Sequence, residues 1–328
     1  MSEIIHQFDR ETLGRAEQLA LRSRRIVEGL RAGHHRSPFH GSSVEFAEHK
    51  EYAPGDPLKN MDWKLFGKSD KYYVKRYEEE TNLQAWILLD TSASMGFGRQ
   101  GVQKLPLSSW WERIRGIKPS LAREEERLPS TRLDYATLLA ASLATLLVTQ
   151  GDAVGLVTFG SEGSTILPPR SRGTHLTTLM ATLSQTESRG QGFIAQALRD
   201  FAPRVTRRSL VILISDLLED TPEILESLKG LRTRRNDVLL AQLLHKDELE
   251  FPYDDVSRFE DPEARESFLI ADPREIKDGY LRELQAWLEL IRQGSFEAQV
   301  EHRLINTQTP VVEALAALSA DRQGGRRR

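Results

Sequence analysis

The feature that most constrains the fold is an apolar run at residues 85–89 that ends in a single aspartate, Asp90. An unbroken run of this length is typical of a strand buried on both faces of a parallel sheet. Similar runs return at residues 153–159, 210–214 and 238–244. These four runs predict a parallel sheet as the core of the protein.

Segments with helical spacing of apolar residues lie between these runs and after the last one. They are residues 133–150, 174–183, 194–201, 223–232, 273–292 and 311–319. Strands that alternate with helices are joined by right-handed crossovers, which place helices on both faces of the sheet. The predicted fold class is therefore α/β, with a doubly wound, mostly parallel sheet. Three short pieces at residues 249–253, 256–259 and 267–270 are predicted to be extended, as parts of an added hairpin.

The chain is expected to have three parts. Residues 1–82 hold a helix, near 13–30, and a small β-rich element packed on the core. Residues 83–320 form the main domain, within which residues 98–132 separate the first strand from its helix and predict an insertion at the rim of the sheet. Residues 321–328 end in three arginines and are expected to be a disordered basic tail.

Composition excludes several classes of protein. The 328 residues are 39% apolar and 28% charged, as in a water-soluble globular protein. The net charge of -3 argues against binding nucleic acid through bulk positive charge. The absence of cysteine excludes disulfides, thiolate zinc sites and cysteine nucleophiles. No secretory signal or membrane span of about 20 apolar residues is visible, so a cytoplasmic location is expected.

The strand-end aspartates Asp90 and Asp216 are the candidate functional residues. Carboxyl ends of parallel strands meet at one edge of the sheet, where ligands bind. Ser92 and Ser94 alternate with Asp90 and can point into the same crevice. These oxygen donors suit Mg²⁺, although a serine after a strand also serves as a helix N-cap. The second strand-end aspartate favours the metal site.

Asp90-x-Ser92-x-Ser94, together with Asp216, resembles the metal-ion-dependent adhesion site of von Willebrand factor A domains. The Tyr-Ala-Pro-Gly-Asp turn at residues 52–56 is similar to a motif of the bacterial family called domain of unknown function 58 (DUF58). The resemblance implies a von Willebrand factor A-like domain that binds Mg²⁺, with Mn²⁺ or Ca²⁺ as alternatives. It also implies a protein partner, a MoxR-type AAA+ ATPase.

One departure from that family concerns the ligand set. The family uses a threonine where this chain has Gly192, so one direct ligand is missing unless Thr186 or Ser188 takes its place. The resemblance therefore implies metal binding by the four remaining residues, with weak or absent binding as the alternative. The predicted insertion is also longer than the family's usual link between the first strand and its helix.

The expected function is that of a non-catalytic protein-interaction module, an adaptor or an assembly and maturation factor. Two alternatives stay open at this point. A metal-dependent hydrolase or phosphatase would use Asp90 and Asp216, but Ser92 stands where a haloacid-dehalogenase-like phosphatase would need a second aspartate. A metal-free scaffold would instead bind its partner through residues 98–132.

Overall fold

The computed structural model describes most of the chain outside its two ends and the predicted insertion. The described residues are 9–32, 43–51, 61, 65–67, 72–80, 83–98, 129–161, 163–264 and 267–320. The predicted tail at 321–328 and residues 99–128 of the predicted insertion lie outside them.

The helices are α1 (Arg10–Ala32), α2 (Arg132–Thr149), α3 (Gly173–Ser184), α4 (Ile194–Phe201), α5 (Thr221–Thr233), α6 (Lys246–Glu250), α7 (Pro273–Glu297) and α8 (Val311–Ala320). The strands are β1 (Ser43–Glu51), β2 (Tyr73–Glu80), β3 (Gln84–Asp90), β4 (Ala153–Gly160), β5 (Gly163–Arg170), β6 (Ser209–Ser215), β7 (Asp237–Leu244), β8 (Ser257–Glu260), β9 (Phe268–Ala271) and β10 (Glu301–Asn306).

A six-stranded sheet forms the core, in the order β10-β7-β6-β3-β4-β5. Strand β5 is antiparallel to β4, and the other neighbours are parallel. The chain moves outward from β3 in one direction through β4 and β5, and from β6 in the other direction through β7 and β10. The strand order therefore reverses between β3 and β6. The predicted doubly wound, mostly parallel fold is confirmed.

Alternating side chains of the central strands pack into two separate cores. In β3, Ile87 and Leu89 join the cluster under α1, α2, α3 and α8, whereas Trp86 and Leu88 join the cluster under α4, α5 and α7. This division follows from the two-residue period of a strand, which sends neighbouring side chains to opposite faces. Burial on both faces explains why the strand reads as an uninterrupted apolar run.

The sequence pattern predicts neither edge strand of this sheet. Strand β5 carries Pro168 and Pro169 and is largely exposed, which is compatible only with an edge position. Strand β10 mixes charged and apolar residues because only one of its sides pairs with the sheet. Edge strands lack the continuous apolar run on which the prediction of the four central strands depended.

The smaller elements agree with the sequence in part. Strands β1 and β2 pair antiparallel within the segment predicted to be β-rich, and β8 and β9 form the predicted hairpin. The predicted extended piece at residues 249–253 is wrong, because its first two residues end α6 (Lys246–Glu250) and the other three belong to no strand. A capping box explains the helix: His245 accepts from the Asp247 N–H, and Glu248 accepts from the His245 N–H.

Helix α2 is the longest apolar element in the described part of the chain. Its 18 residues pass the length and composition test for a membrane span, but 78% of that window is buried inside the protein. It packs between the sheet and α1, α3 and α8, as a core helix does. Thr131 begins it with a capping box, in which Thr131 Oγ1 accepts from the Asp134 N–H at 3.0 Å.

Candidate functional site

The predicted site residues meet where the strand order reverses. Asp90 ends β3, Ser215 ends the neighbouring β6, and Asp216 directly follows it. The register pairs Leu89 with Ile214, so Asp90 lies beside Ser215. In doubly wound sheets this crevice, at the carboxyl ends of the strands, is the usual place for a ligand.

Asp90 is fully buried and is held only by neutral donors. Its Oδ1 accepts from the Ser92 N–H at 2.9 Å, and its Oδ2 accepts from the Ser215 hydroxyl at 2.6 Å. Burial raises the pKa of Asp90 to about 7, with a further increase from the negative charge of Asp216. The two serines lower it, but too little to compensate. Within the described residues, no basic side chain pairs with this carboxylate.

The two serines of the motif lie together beside Asp90. Ser92 and Ser94 are almost fully buried, and their hydroxyl oxygens are 2.9 Å apart. A tight 3₁₀ turn over Ala93–Gly96 brings the two side chains to the same side. No side-chain cap hydrogen bond from Ser92 is present in that turn, which removes the N-cap explanation for this serine.

Asp216 is buried as deeply as Asp90 but is neutralised by a cation. The guanidinium of Arg132 is fully buried and donates to Asp216 Oδ2, while the second Asp216 oxygen accepts from the Leu218 N–H at 3.2 Å. Arg132 Nη2 also lies 2.5 Å from Glu248 Oε2, and its guanidinium carbon is 5.5 Å from the centre of the Phe97 ring. Burial alone would lower the pKa of Arg132, but the two carboxylates outweigh it and raise that pKa.

The backbone directly after β6 has an unusual conformation at Leu217. Leu217 adopts a left-handed conformation with a φ of 63°, and its N–H donates to the Ser215 hydroxyl at 3.0 Å. A leucine in this region is strained by roughly 1 kcal/mol or more, and such strain concentrates at functional sites. The two backbone N–H groups that follow Asp216 thus hold the side chains of the site: that of Leu217 donates to Ser215, which in turn donates to Asp90, and that of Leu218 donates to Asp216.

Gly192 lies beside the serines, at the position where the sequence resemblance implies a threonine. A Cβ placed on Gly192 would be 2.3 Å from Glu219 Oε1 and 3.2 Å from the Ser92 Cβ. The Glu219 carboxylate accepts from the Ile194 N–H, at 3.0 and 2.9 Å. Burial raises the pKa of Glu219, and the neighbouring carboxylates of Glu263 and Asp216 raise it further.

Glu263 approaches the same place from the turn between β8 and β9. Its Oε2 lies 3.5 Å from the Gly192 nitrogen, and it accepts from the Ser94 hydroxyl. Burial raises the pKa of Glu263, and Asp216 adds to the effect. The site therefore contains two half-buried glutamates that the sequence alone did not indicate.

Neither hydroxyl proposed to replace the threonine takes that position. Thr186 donates to the Leu183 carbonyl at 2.7 Å, at the end of α3. Ser188 lies against Gly96, where an added Cβ would be 2.6 Å from its hydroxyl. The side chain that fills the space beside Gly192 is Glu219.

Arg132 is another residue of the site that the sequence pattern does not indicate, because it falls at the end of the predicted insertion. A β-bridge between Gly98 and Thr131 closes the base of that segment, and Arg132 is the first residue of α2. One signal could have found it. A helix N-terminus repels positive charge, so an arginine that begins an apolar helix indicates a specific acidic partner.

The donor set fits a divalent cation. Hydroxyl and carboxylate oxygens are the ligands that Mg²⁺ prefers, and Asp90 carries a buried charge that the described residues leave without a cation. Asp216 is less free, because Arg132 already contacts one of its oxygens. Among the described residues, no three acidic, histidine or cysteine side chains converge closely enough to hold a metal ion by themselves. The serine hydroxyls and water would therefore supply part of any coordination shell.

Comparison with known proteins gives a family match and distant relatives. The family model described as "Protein of unknown function DUF58" matches residues 48–108 and 125–287, more than half of the chain. Uncharacterized proteins of Mycobacterium bovis and Mycobacterium tuberculosis are 24% identical over 239 residues, which cover 71% of this chain and 65% of those proteins. The chain thus spans less than two thirds of the length of these relatives.

The solved structures that resemble the chain are also distant in sequence. The conserved hypothetical protein BatB from Bacteroides thetaiotaomicron is 16% identical, with 74% of this chain and 98% of that chain covered and a TM-score of 0.43. The SpRpn10 VWA domain is 11% identical, with 74% and 97% covered and a TM-score of 0.42.

Proposed function

The chain belongs to the family of unknown function DUF58, with a doubly wound core of von Willebrand factor A type, and we propose that it is a non-catalytic protein-interaction module. Its contact surface is the edge of the sheet around Asp90, Ser92, Ser94 and Asp216. One observation carries this proposal: a buried carboxylate and two serine hydroxyls meet at the switch point, and no cation among the residues that the structure describes neutralises Asp90.

In this proposal Mg²⁺ is held by Ser92 and Ser94, with Asp90 and Asp216 acting directly or through water. Mn²⁺ and Ca²⁺ are alternative ions with the same preference for oxygen. The bound ion supplies an electrophilic position that a carboxylate of a partner protein completes. Phe193 and Leu218 support a protein contact, because both flank the site and are about half exposed, as apolar residues of an interface are before binding.

The partner we propose is a MoxR-type AAA+ ATPase, with which the chain works in the cytoplasm as an adaptor or an assembly and maturation factor. This rests on the resemblance to the family. A catalytic role for Asp90 and Asp216 is less favoured for two reasons. Ser92 stands where the phosphatase arrangement needs a second carboxylate, and Asp216 already forms an ion pair with Arg132.

Metal and partner binding can be tested on the full chain with a matched pair of variants. Asp90→Asn removes the uncompensated carboxylate, and Asp237→Asn removes a carboxylate at the opposite, amino-end edge of the same sheet. We expect saturable Mg²⁺ and Mn²⁺ binding by calorimetry in the wild type and Asp237→Asn, and none in Asp90→Asn. Capture of the ATPase should require Mg²⁺, fail in chelator and fail with Asp90→Asn.

Two results would contradict the proposal. One is ATPase capture that is unchanged in chelator and in Asp90→Asn. The other is hydrolysis of a phosphoester that disappears in Asp90→Asn, which would make the chain an enzyme. Thermal unfolding of each variant in chelator serves as the control that the fold is retained.

A further inference from the structure

The glycine at position 192 is required by space and not by backbone conformation. The left-handed glycines of the described chain are Gly98, Gly151, Gly163 and Gly190, and Gly192 is not among them. Any residue could adopt its backbone. A side chain there would instead collide with Glu219 Oε1, 2.3 Å from the position of the Cβ.

Gly192 and Glu219 are therefore complementary. The missing side chain leaves a space against the Ser92 Cβ, and the carboxylate of Glu219 fills it. Glu219 comes from the loop after β6, three residues beyond Asp216. The loop after β6 thus supplies both Asp216 and the oxygen that occupies the place of a residue 192 side chain.

We infer that Glu219 is a metal ligand of this site. Its carboxylate takes the place of the threonine hydroxyl that is missing at position 192. This inference rests on the proposed metal-dependent function. A carboxylate in place of a hydroxyl adds one negative charge to the donor set, so the site holds a divalent cation more tightly. The same charge weakens the attraction of the ion for a carboxylate of the partner. Glu219 would then set both the affinity for the ion and the choice of partner group.

A purely structural role for Glu219 is the competing explanation. Its carboxylate accepts from the Ile194 N–H at the start of α4, which is the bond that an N-cap makes. Glu219→Gln separates the two roles, because an amide oxygen still accepts that hydrogen bond but binds a divalent cation poorly. A capping residue changes the stability of the metal-free protein, whereas a ligand changes its affinity for metal.

The experiment is a Mn²⁺ titration of the full chain by calorimetry, with three variants beside the wild type. Glu219→Gln removes the inferred ligand. Glu263→Gln removes the same charge from a neighbour that lies beside Gly192 but does not fill the space. Gly192→Ala adds a methyl group that displaces the Glu219 carboxylate. We expect Glu219→Gln and Gly192→Ala each to weaken binding about tenfold or more, in the range seen when support of a metal site is lost. Glu263→Gln should weaken it only about twofold to threefold, as expected for a screened charge.

The double variant Gly192→Ala/Glu219→Gln tests whether both residues act at one point. If the methyl group acts only by displacing the carboxylate, the double variant binds no more weakly than either single variant. Additive losses would overturn that interpretation. Unfolding temperatures in chelator should stay within about 2 °C of the wild type for Glu219→Gln, because the cap is retained.

The outcomes separate this inference from the proposed function. If Asp90→Asn abolishes Mn²⁺ binding but Glu219→Gln leaves it unchanged, the metal site stands and Glu219 is not a ligand. Equal losses in Glu219→Gln and Glu263→Gln would also overturn the inference, since they would reflect general charge. No saturable binding in the wild type would overturn the metal site and the Glu219 inference together.

Discussion

Asp90 and Asp216 end neighbouring strands of one sheet and are equally buried, but they are neutralised in different ways. Asp216 has a guanidinium against it, supplied by Arg132 at the start of α2. In the described part of the chain, Asp90 has only uncharged donors, namely the Ser215 hydroxyl and the N–H and hydroxyl of Ser92. The two aspartates of the motif therefore have different roles. Asp216 is locked into the fold by its ion pair with Arg132, and Asp90 carries the charge that is left for a ligand.

The largest effect is expected from removing the cation that neutralises Asp216. Arg132→Met keeps an aliphatic stem but leaves the Asp216 carboxylate buried without its cation. We expect the free energy of unfolding to fall by about 3–5 kcal/mol, the cost of removing one partner of a buried ion pair. Urea unfolding of the metal-free protein measures this.

Arg232→Met is the matched control, because Arg232 pairs with Asp237 at a partly exposed position. Its loss should cost about 1–2 kcal/mol, because Arg232 also donates to the carbonyls of Asn236 and Gln299. The double variant Arg132→Met/Asp216→Asn should recover part of the stability, since no buried charge is then left unpaired. A cost for Arg132→Met no larger than for Arg232→Met would show that Asp216 is not locked by this pair.

The second effect concerns the pH dependence of stability that Asp90 causes. The pKa of Asp90 is about 7 in the folded protein against an ordinary 3.8, so the folded chain binds more protons than the unfolded chain between these values. Stability should therefore fall as pH rises through this window, by about 1 kcal/mol per pH unit, and level off above it. Unfolding measured in chelator at pH 5 and pH 8 gives the slope.

Asp90→Asn removes this group and should flatten the dependence, whereas Asp237→Asn should leave it unchanged. The Asp90→Asn protein would then be more stable than the wild type at pH 8 in chelator. Identical pH profiles for the wild type and Asp90→Asn would mean that the Asp90 charge is compensated after all, and the contrast with Asp216 would disappear.

The third effect tests the hydroxyl that holds Asp90. Ser215→Ala removes the donor to Asp90 Oδ2 and the acceptor of the Leu217 N–H. We expect a loss of about 1–3 kcal/mol, because a charged carboxylate loses a partner in a buried place. The loss should be larger at pH 8 than at pH 5, where the carboxyl is protonated.

Ser209→Ala is the control at the other end of the same strand. Ser209 is also buried, but its hydroxyl donates to the Arg207 carbonyl and to Gln84, which are neutral acceptors. Its loss should not depend on pH in this range. Equal pH dependence in the two variants would rule out the charge of Asp90 as the cause.

The sequence was sufficient to predict the central strands, since burial on both faces leaves an apolar run and ends it at a polar residue. It was also sufficient to place Asp90 and Asp216 at one edge, because that follows from parallel strands alone. Strands β5 and β10 could not be predicted this way. Each lies at an edge, where partial exposure removes the pattern.

The remainder of the site depends on contacts between distant parts of the chain. The pairing of Arg132 with Asp216 spans 84 residues, and Gly192 is explained only by the carboxylate of Glu219. Neither pair leaves a local pattern. Gly192 alone suggests a lost ligand, and only the folded arrangement shows which oxygen lies in the space.

The smallest effect is expected from Glu248, the second carboxylate that pairs with Arg132. Glu248 also pairs with Arg132, but its side chain is 15% exposed and it accepts from the His245 N–H as well. Glu248→Gln keeps that hydrogen bond and removes only the charge, so it should cost about 1 kcal/mol in urea unfolding. Glu250→Gln, which removes an exposed partner of Lys246, should cost almost nothing. If Glu248→Gln costs as much as Arg132→Met, then Glu248 and not Asp216 is the main partner of the buried guanidinium. Asp216 would in that case be as available to a ligand as Asp90.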